Sequence, residues 1–424
     1  MRNQTLALGL GSNLDNPLEN LRLALSEIKK SQFFEVTAVS SIYESDAQLP
    51  SNAVSDWNKP FLNAAVLVRV AANESPENIL CEIQKIEKKI GRIPAERWAP
   101  RLIDIDLLFW DQEDFVSEAL QIPHKDLSNR PFALLPLLEI WRSPKLILPD
   151  WSHSWSENKP FNTKKSLRYF WPRLVGILNV TKDSFSDGGM YLSPDTLHKR
   201  VSLLLEQGAE IIDIGAESTR PGAETVSEAA EFSSLDWALR ELKLSCSISL
   251  DCRHAGVAAR ILEKHKVNFL NDVDGFADTG MKELLKISKL SGFVMHSLGV
   301  PPALDRVLDK TLDPCKQLTE WWKQHRLSLL EFGIEDGQII FDPGIGFGKT
   351  KQQNLFILQN LNLLSEIQNS IMIGHSRKSF LTLLSDRPAE MRDLETALVT
   401  RGLNLAYVQY LRVHDVQTQL AALR

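Results

Sequence analysis

The chain has 424 residues, more than one hydrophobic core ordinarily serves, so two domains are expected. Its 43% hydrophobic and 24% charged residues are those of a globular protein, and a net charge of −6 argues against nucleic acid as a partner. The opening segment MRNQTLALGLGSN is too short in apolar run for a secretory signal and too poor in basic residues for a transit peptide, and no run is long and apolar enough to cross a bilayer.

The first third of the chain alternates short apolar strands with amphipathic helices. Strands are expected over 6–10, 36–42, 64–70 and 102–108. A helix over 17–30 opens on Pro17 and carries Leu18, Leu21 and Leu25 on one stripe; another over 76–89 repeats the pattern with Ile79, Ile83, Ile86 and Ile90. Strands and helices in mixed order indicate an α+β sandwich. In the last strand, RLIDIDLLFW, Asp104 and Asp106 stand two residues apart and so share one face. On the pair alone, an ordinary solvated strand face accounts for them. Just upstream, however, IGRIPAERWAPRLIDID supplies Arg92, Arg97 and Arg101 with Trp98 among them. Paired carboxylates that receive divalent cations, next to several arginines, suit a triphosphate. No G-x-x-x-x-G-K-[ST] is present, so this is not a P-loop site.

The texture changes over 143–172, a stretch rich in Pro, Ser and Trp without period, which marks the boundary between domains expected at 1–158 and 173–424. Beyond it come eight apolar runs, each ending in polar residues: LVGILNV, IIDIGAEST, SISLDC, NFLNDV, GFVMHS, IIFDPG, IMIGHS and YLRVHD. Helical segments separate most of them, as over 193–208, with Ser193 as N-cap, Pro194 in the first turn and Gly208 closing it. Eight βα units in about 250 residues indicate a TIM (β/α)8 barrel, with an open doubly wound sheet as the alternative. The four cysteines, Cys81, Cys246, Cys252 and Cys315, form no C-x-x-C pair, so free thiols in the reducing cytoplasm are expected.

A TIM barrel works at the C-terminal ends of its strands. Those ends carry Asn179, Asp213 with Glu217, Asp251, Asn271 with Asp272, His296, Asp342, His375 with Lys378, and Arg412 with His414. Any one of them is explicable as a satisfied structural group; polar groups at all eight ends are not. Asp251, Asn271, Asp342 and Lys378 make a lining suited to a donor-rich heterocycle, while Arg220, Arg412 and His414 suit an anion such as diphosphate.

The motifs GILNVTKDSFSDGG, IIDIGAESTRPGA, SLDCRHAGV, LNDVDGF, FDPGIGFGKT, GHSRKSF and LRVHDV, in that order over 173–424, resemble dihydropteroate synthase. The resemblance implies condensation of p-aminobenzoate with 6-hydroxymethyl-7,8-dihydropterin diphosphate, giving dihydropteroate and diphosphate. By position, Asp251, Asn271, Asp342, Lys378 and Arg412 would hold the pterin. Asn179, Thr219, Arg220, Arg412 and His414 would handle the diphosphate, with one Mg2+ bridging Asn179 and the leaving group. Pro221, Phe347 and Ser379 would border p-aminobenzoate, and loops around 181–190 and 217–224 would close over the intermediate. The sequence departs from the family pattern at Lys182, Ala216 and Ser297. A pterin-dependent methyltransferase, which uses a related barrel, is the rival reading; Arg220 and the SRKS stretch favour diphosphate chemistry.

The N-terminal segment, through GLGSNL, FLNAA, ERWAPRLIDIDLL and IPHKDLSNRPF, resembles 6-hydroxymethyl-7,8-dihydropterin pyrophosphokinase over about residues 5–150 and with it a ferredoxin-like fold. By that resemblance Asp104 and Asp106 bind two Mg2+ ions that clamp the ATP phosphates, and Arg92 and Arg101 stabilise the transferred diphosphoryl group. Gln84, Glu87, Trp98, His124 and Arg130 contribute to the ATP site. Asn63 reads the pterin edge while Phe61 and Phe132 sandwich its ring. The two resemblances describe consecutive reactions, so each implies the other's partner. The alternative is an active synthase carrying a non-catalytic pterin-binding module. The implied partners are small molecules, with neither nucleic acid nor membrane, and the implied assembly is a monomer or a homodimer through the barrel.

Overall fold

The computed structural model describes residues 4–424 except 51, 97, 112–113, 147, 153–161, 181–192, 218–225, 243–245 and 304. The chain divides into two compact units between Trp171 and Pro172.

The first unit is built on one antiparallel sheet. Its elements run β1 (Gln4–Ser12), α1 (Pro17–Lys30), β2 (Glu35–Val39), β3 (Tyr43–Ser45), β4 (Phe61–Val70), α2 (Pro76–Ile90), β5 (Asp104–Trp110), β6 (Phe115–Val116), β7 (Gln121–Ile122), α3 (Pro131–Ile140) and β8 (Thr163–Lys165). The sheet order is β5-β1-β4-β3-β8, with β2 also on β4, while β6 and β7 form a separate two-stranded ribbon. Helices α1 and α2 start where expected because Asn16 and Ser75 accept the N–H of Glu19 and Asn78, and a proline follows each cap. Gly91 ends α2 in the left-handed conformation at φ 105°. Helices α1 and α2 pack together against β1, β4 and β5, and α3 packs against β4, β3 and β1.

Two expectations need correction. The strand expected over 36–42 ends at Val39, and β3 starts only at Tyr43, because Ser40 interrupts the ladder: its hydroxyl accepts the Ala65 N–H at 2.9 Å. The first compact unit runs past residue 158 to Trp171. Thr163–Lys165 adds a strand beside β3, and Trp171, 3% exposed, donates its indole N–H to the Ser40 carbonyl at 2.6 Å. Arg22 of α1 donates to the carbonyls of Phe170 and Trp171 at 2.9 and 3.0 Å. A stretch without period that is tied down by one buried tryptophan carries no pattern for sequence reading to catch.

In the second unit eight strands alternate with eight helices: β9 (Arg173–Asn179), α4 (Pro194–Glu206), β10 (Ile211–Gly215), α5 (Glu228–Glu241), β11 (Ser247–Asp251), α6 (Ala255–Leu262), β12 (Phe269–Asp272), α7 (Thr279–Ser288), β13 (Ser291–Met295), α8 (Pro314–Glu331), β14 (Ile339–Asp342), α9 (Lys351–Gln359), β15 (Met372–Ile373), α10 (Asp393–Arg401), β16 (Tyr410–Val413) and α11 (Val416–Leu423). All pairings are parallel in the order β14-β13-β12-β11-β10-β9-β16-β15, and a bridge between Phe341 and Ile371 joins β14 to β15. This is the expected TIM barrel. Near the strand starts its interior is filled by aromatics. Phe269 stacks on Phe293 at 5.2 Å between centroids, Tyr410 meets both edge-on, and the Arg173 guanidinium lies 5.6 Å from the Tyr410 ring. The polar groups gather at the other end. Among the described residues, no helix is long and apolar enough to cross a membrane, and all four cysteines are free.

Candidate active sites

Strand register builds the first site. Gly9 of β1 lies opposite Asp106 of β5 and Ala65 of β4; Gly11 lies opposite Asp104 and Asn63. Residues directly opposite point to the same face, so two carboxylates and an asparagine flank a strand that carries no side chains there. A Cβ on Gly11 would come within 3.4 Å of Asn63 and 3.7 Å of Phe61, filling the floor. Above it lies an open cleft of about 970 Å³ lined by Asp104, Asp106, Asn63, Phe61, Phe132, Trp98, Arg101 and Arg130. Trp98 adopts φ 77°, which costs a bulky residue strain and holds its ring at the cleft.

The two acids are held differently. Asp104 is gripped by Arg92 at 2.8 Å and Arg101 at 2.9 Å. Asp106 has Arg130 only at 3.8 Å. Its carboxyl is pushed up from the usual range by withdrawal from water and then by the Asp104 charge, with Glu87 adding to the effect. His124 borders Arg130 at 3.5 Å, and burial, reinforced by Arg130, holds its imidazole below the ordinary value. Arg101 is fixed from behind: its N–H donates to Asn13 Oδ1 at 2.9 Å.

Two residues expected at the ATP site do not line this cleft. Glu87 is buried, accepts the Ile105 N–H at 2.8 Å and pairs with Arg92. It therefore anchors the strand and one arginine instead of lining the cleft. Gln84 is exposed one turn earlier on α2 and is not part of the cleft lining. Arg97 lies outside the described residues.

At the barrel mouth the expected groups converge, with a partner that sequence reading gave no role. Arg412, at the end of β16, is bonded to Asp213 of β10 and Asp251 of β11, each at 2.6 Å. Asn271 donates to Asp213 at 3.2 Å. A Cβ on Gly374 would lie 3.7 Å from Asp342 and 3.9 Å from Arg412, which puts that acid beside the same cation. Acceptor lining and anion-binding cation, read as separate subsets, are thus one cluster. The cause is that β9 alone separates β16 from β10 in the ring. Burial raises the Asp251 carboxyl, Arg412 opposes that, and Asp213 and Asp272 add to it. Burial likewise raises Asp342, against the Gly344 N–H, Lys378 and Arg412. Burial works against the Arg412 charge, yet Asp213 and Asp251 more than offset it and hold its pKa above the ordinary arginine value.

Around this cluster stand the remaining groups. Asn179 ends β9 beside Gly215. The Lys378 ammonium lies 4.2 Å from the Phe347 ring centre. His414 receives no freedom from its position: its N–H donates to Ser376 Oγ at 3.2 Å and its Nδ1 meets the same oxygen at 3.0 Å. Ser379 is exposed in the turn after Lys378. His375, by contrast, is fully buried against Thr396 and Thr400, a structural contact between strand end and helix. Thr219, Arg220, Pro221, Lys182 and both expected closing loops lie outside the described residues, apart from Glu217. Glu217 is gripped by Arg253 at 2.9 and 3.3 Å, and Glu231 by His254 at 2.7 Å. These acids and the imidazole lie within 4.8 Å of one another, but each acid already has its counter-group.

Comparison with known proteins identifies both domains. Residues 7–142 match the family model described as 7,8-dihydro-6-hydroxymethylpterin-pyrophosphokinase, and residues 175–414 match the model described as pterin binding enzyme. The folate synthesis bifunctional protein of Chlamydia caviae is 32% identical, over 98% of this chain and 96% of its own length. The chain belongs to the bifunctional folate-synthesis family. It therefore joins a hydroxymethyldihydropterin pyrophosphokinase domain to a dihydropteroate synthase barrel. The pyrophosphokinase match favours a catalytic N-terminal domain over a ligand-delivering module. Among solved structures, the synthase barrel is similar to the dihydropteroate synthase of Clostridium difficile crystallised in the presence of pteroic acid, at 33% identity and TM-score 0.55, covering 60% of this chain and 94% of that one. It is similar also to the Anaplasma phagocytophilum synthase with bound 6-hydroxymethylpterin-monophosphate, at 30% identity and TM-score 0.54, covering 60% and 97%.

Proposed function

We propose that the N-terminal cleft transfers the diphosphoryl group of ATP to the hydroxymethyl oxygen of 6-hydroxymethyl-7,8-dihydropterin, releasing AMP. The barrel then condenses that diphosphate with p-aminobenzoate, releasing diphosphate and forming dihydropteroate. The observation that carries the first half is the pair Asp104 and Asp106 facing one cleft, ringed by Arg92, Arg101 and Arg130. Hard carboxylate oxygens raised against each other fit two Mg2+ ions, which supply charge neutralisation to the triphosphate when bound. Arg92 and Arg101, both anchored on Asp104, offer fixed cations to the moving diphosphoryl group. Trp98, His124 and Arg130 border ATP. Asn63, whose amide donates to Ser45 Oγ at 3.0 Å, reads the pterin edge between Phe61 and Phe132.

In the barrel, Asp251, Asn271, Asp342 and Lys378 take the pterin ring, with Arg412 between the ring and the departing diphosphate. His414 and Asn179 flank that diphosphate, and the single Asn179 side-chain oxygen is what the chain offers to a third Mg2+. Phe347 and Ser379 border p-aminobenzoate. The four free cysteines accord with a reducing cytoplasm. Purified protein given 6-hydroxymethyl-7,8-dihydropterin, ATP, Mg2+ and p-aminobenzoate is expected to yield dihydropteroate and AMP. If it yields dihydropteroate only when pterin diphosphate is supplied, the reading of the N-terminal cleft fails.

The assembly we propose is a homodimer through the barrel. Leu394 and Leu398 stand one turn apart on α10 at 53% and 58% exposure, and Met391, just before that helix, is exposed as well. Such an apolar cluster on a soluble barrel fits a second copy of the same face. Light scattering is expected to give twice the 47.9 kDa chain mass for wild type and one chain mass for Leu394→Glu with Leu398→Glu. A monomeric wild type at micromolar concentration sinks the dimer.

A further inference from the structure

One cation behind the barrel mouth belongs to none of the roles above. Lys349 lies in the loop between β14 and α9 and is 7% exposed. Its ammonium makes three bonds: to the carbonyls of Gly344 at 3.0 Å and Phe347 at 2.9 Å, and to His296 Nδ1 at 2.9 Å. The three partners come from the pterin acid's own loop, from the aromatic wall assigned to p-aminobenzoate, and from the end of β13. The loop needs such a tie. Gly344, Gly346 and Gly348 all have positive φ, and a Cβ on Gly344 would fall 1.9 Å from the His296 carbonyl, so the backbone presses on the neighbouring strand end with no side chain to hold it. The same Gly344 donates its N–H to Asp342 Oδ1 at 2.7 Å. Lys349 thus reaches Asp342 through one residue and the Phe347 backbone directly, while the Lys378 ammonium lies against the Phe347 ring.

A buried ammonium is a costly way to fill space, since charge withdrawn from water must be repaid by well-aimed partners. Burial depresses its pKa to about 7, against the pull of Asp342, and a methionine would fill the same volume without that penalty. We propose that Lys349 is a positioning residue of the synthase reaction, fixing the Asp342 carboxylate and the Phe347 wall by tying their shared loop to His296. An ammonium has three donors and no acceptor. His296 Nδ1 must then accept, which puts the ring proton on Nε2. The inference rests on the reading of the barrel as the pterin and p-aminobenzoate site.

The test uses the full bifunctional chain, whose pyrophosphokinase activity is a control for intact protein. Lys349→Met is expected to raise the synthase KM for pterin diphosphate about tenfold or more and to lower kcat much less, with pyrophosphokinase activity unchanged. Lys349→Arg, too bulky for the same three bonds, is not expected to rescue it. A folded Lys349→Met with unchanged synthase KM values overturns the proposal. Should the variant misfold, the wild type decides: nitrogen-15 NMR of its histidines at pH 6, where Lys349 is an ammonium, is expected to show His296 as a neutral ring with an unprotonated Nδ1, and a proton on Nδ1 overturns the tie. Loss of both activities' substrate, seen as failure of wild type to turn over pterin diphosphate at all, strikes the site reading and not this residue.

Discussion

Asp104→Ala is expected to lower pyrophosphokinase turnover by about a thousandfold or more and to leave synthase turnover of supplied pterin diphosphate within twofold of wild type. The carboxylate does two jobs that alanine cannot do. It offers a metal ligand on the cleft face, and it holds Arg92 and Arg101 at 2.8 and 2.9 Å. Loss of one preorganised charge at a transferring phosphoryl group costs on the order of 10²–10³ in rate, and here ligand and two cations go together. Stability should hardly change, because these ion pairs are about a quarter to a third exposed and such pairs contribute little. The adjacent acid adds a pH signature. Asp106 must shed its proton to receive a cation, and withdrawal from water together with Asp104 keeps that proton on to higher pH than usual. Mg2+ affinity, measured by calorimetry, should therefore rise as pH increases toward and through neutrality. Full pyrophosphokinase activity in Asp104→Ala would falsify the assignment of the cleft.

Arg412→Met is expected to abolish synthase activity and to destabilise the barrel by about 3–5 kcal/mol at pH 7, read from its denaturant midpoint. The substitution keeps the volume roughly but strands Asp213, which is fully buried, and Asp251 beside it. Without their cation the two neighbouring carboxylates repel, and the Asp251 carboxyl, already raised by burial, is held by less opposing charge and climbs further. A folded state that binds extra protons gains stability as pH falls. The deficit relative to wild type should accordingly shrink between pH 8 and pH 5. A variant as stable as wild type at pH 8 would mean that the acids are not held by this arginine.

The fold was legible because its signals are periodic. Ile79, Ile83 and Ile86 at helical spacing, the proline opening α1, the cap at Ser193, and eight apolar runs each ending in polar residues are local features that the packed structure keeps. The break at Ser40 and the seat of Trp171 were not legible, since each depends on one hydrogen bond to a residue far along the chain. Helix α3 was missed for another reason: with Pro131 at its start and Pro136 inside it, it reads as a loop, yet Leu134 and Leu137 are fully buried. The sites divide in the same way. Strand-end residues could be read because a barrel presents its strand ends to one mouth. Helical spacing alone did not reveal that the Glu87 side chain turns inward to the Ile105 N–H and Arg92. Lys349 stood in view within FDPGIGFGKT, but no spacing rule says that an ammonium will fold back onto its own loop.

The aromatic packing at the foot of the barrel, with Phe269, Phe293 and Tyr410 locked together under Arg173, makes the synthase a room with a single door. The acids we propose for the pterin sit at the strand ends, while Phe347 and Ser379, proposed for p-aminobenzoate, belong to the segments that follow them. Whatever occupies the deeper seat must arrive before the shallower one is filled. Steady-state kinetics should then be ordered, with pterin diphosphate entering first and p-aminobenzoate second. An analogue of p-aminobenzoate should hold the pterin in place instead of competing with it.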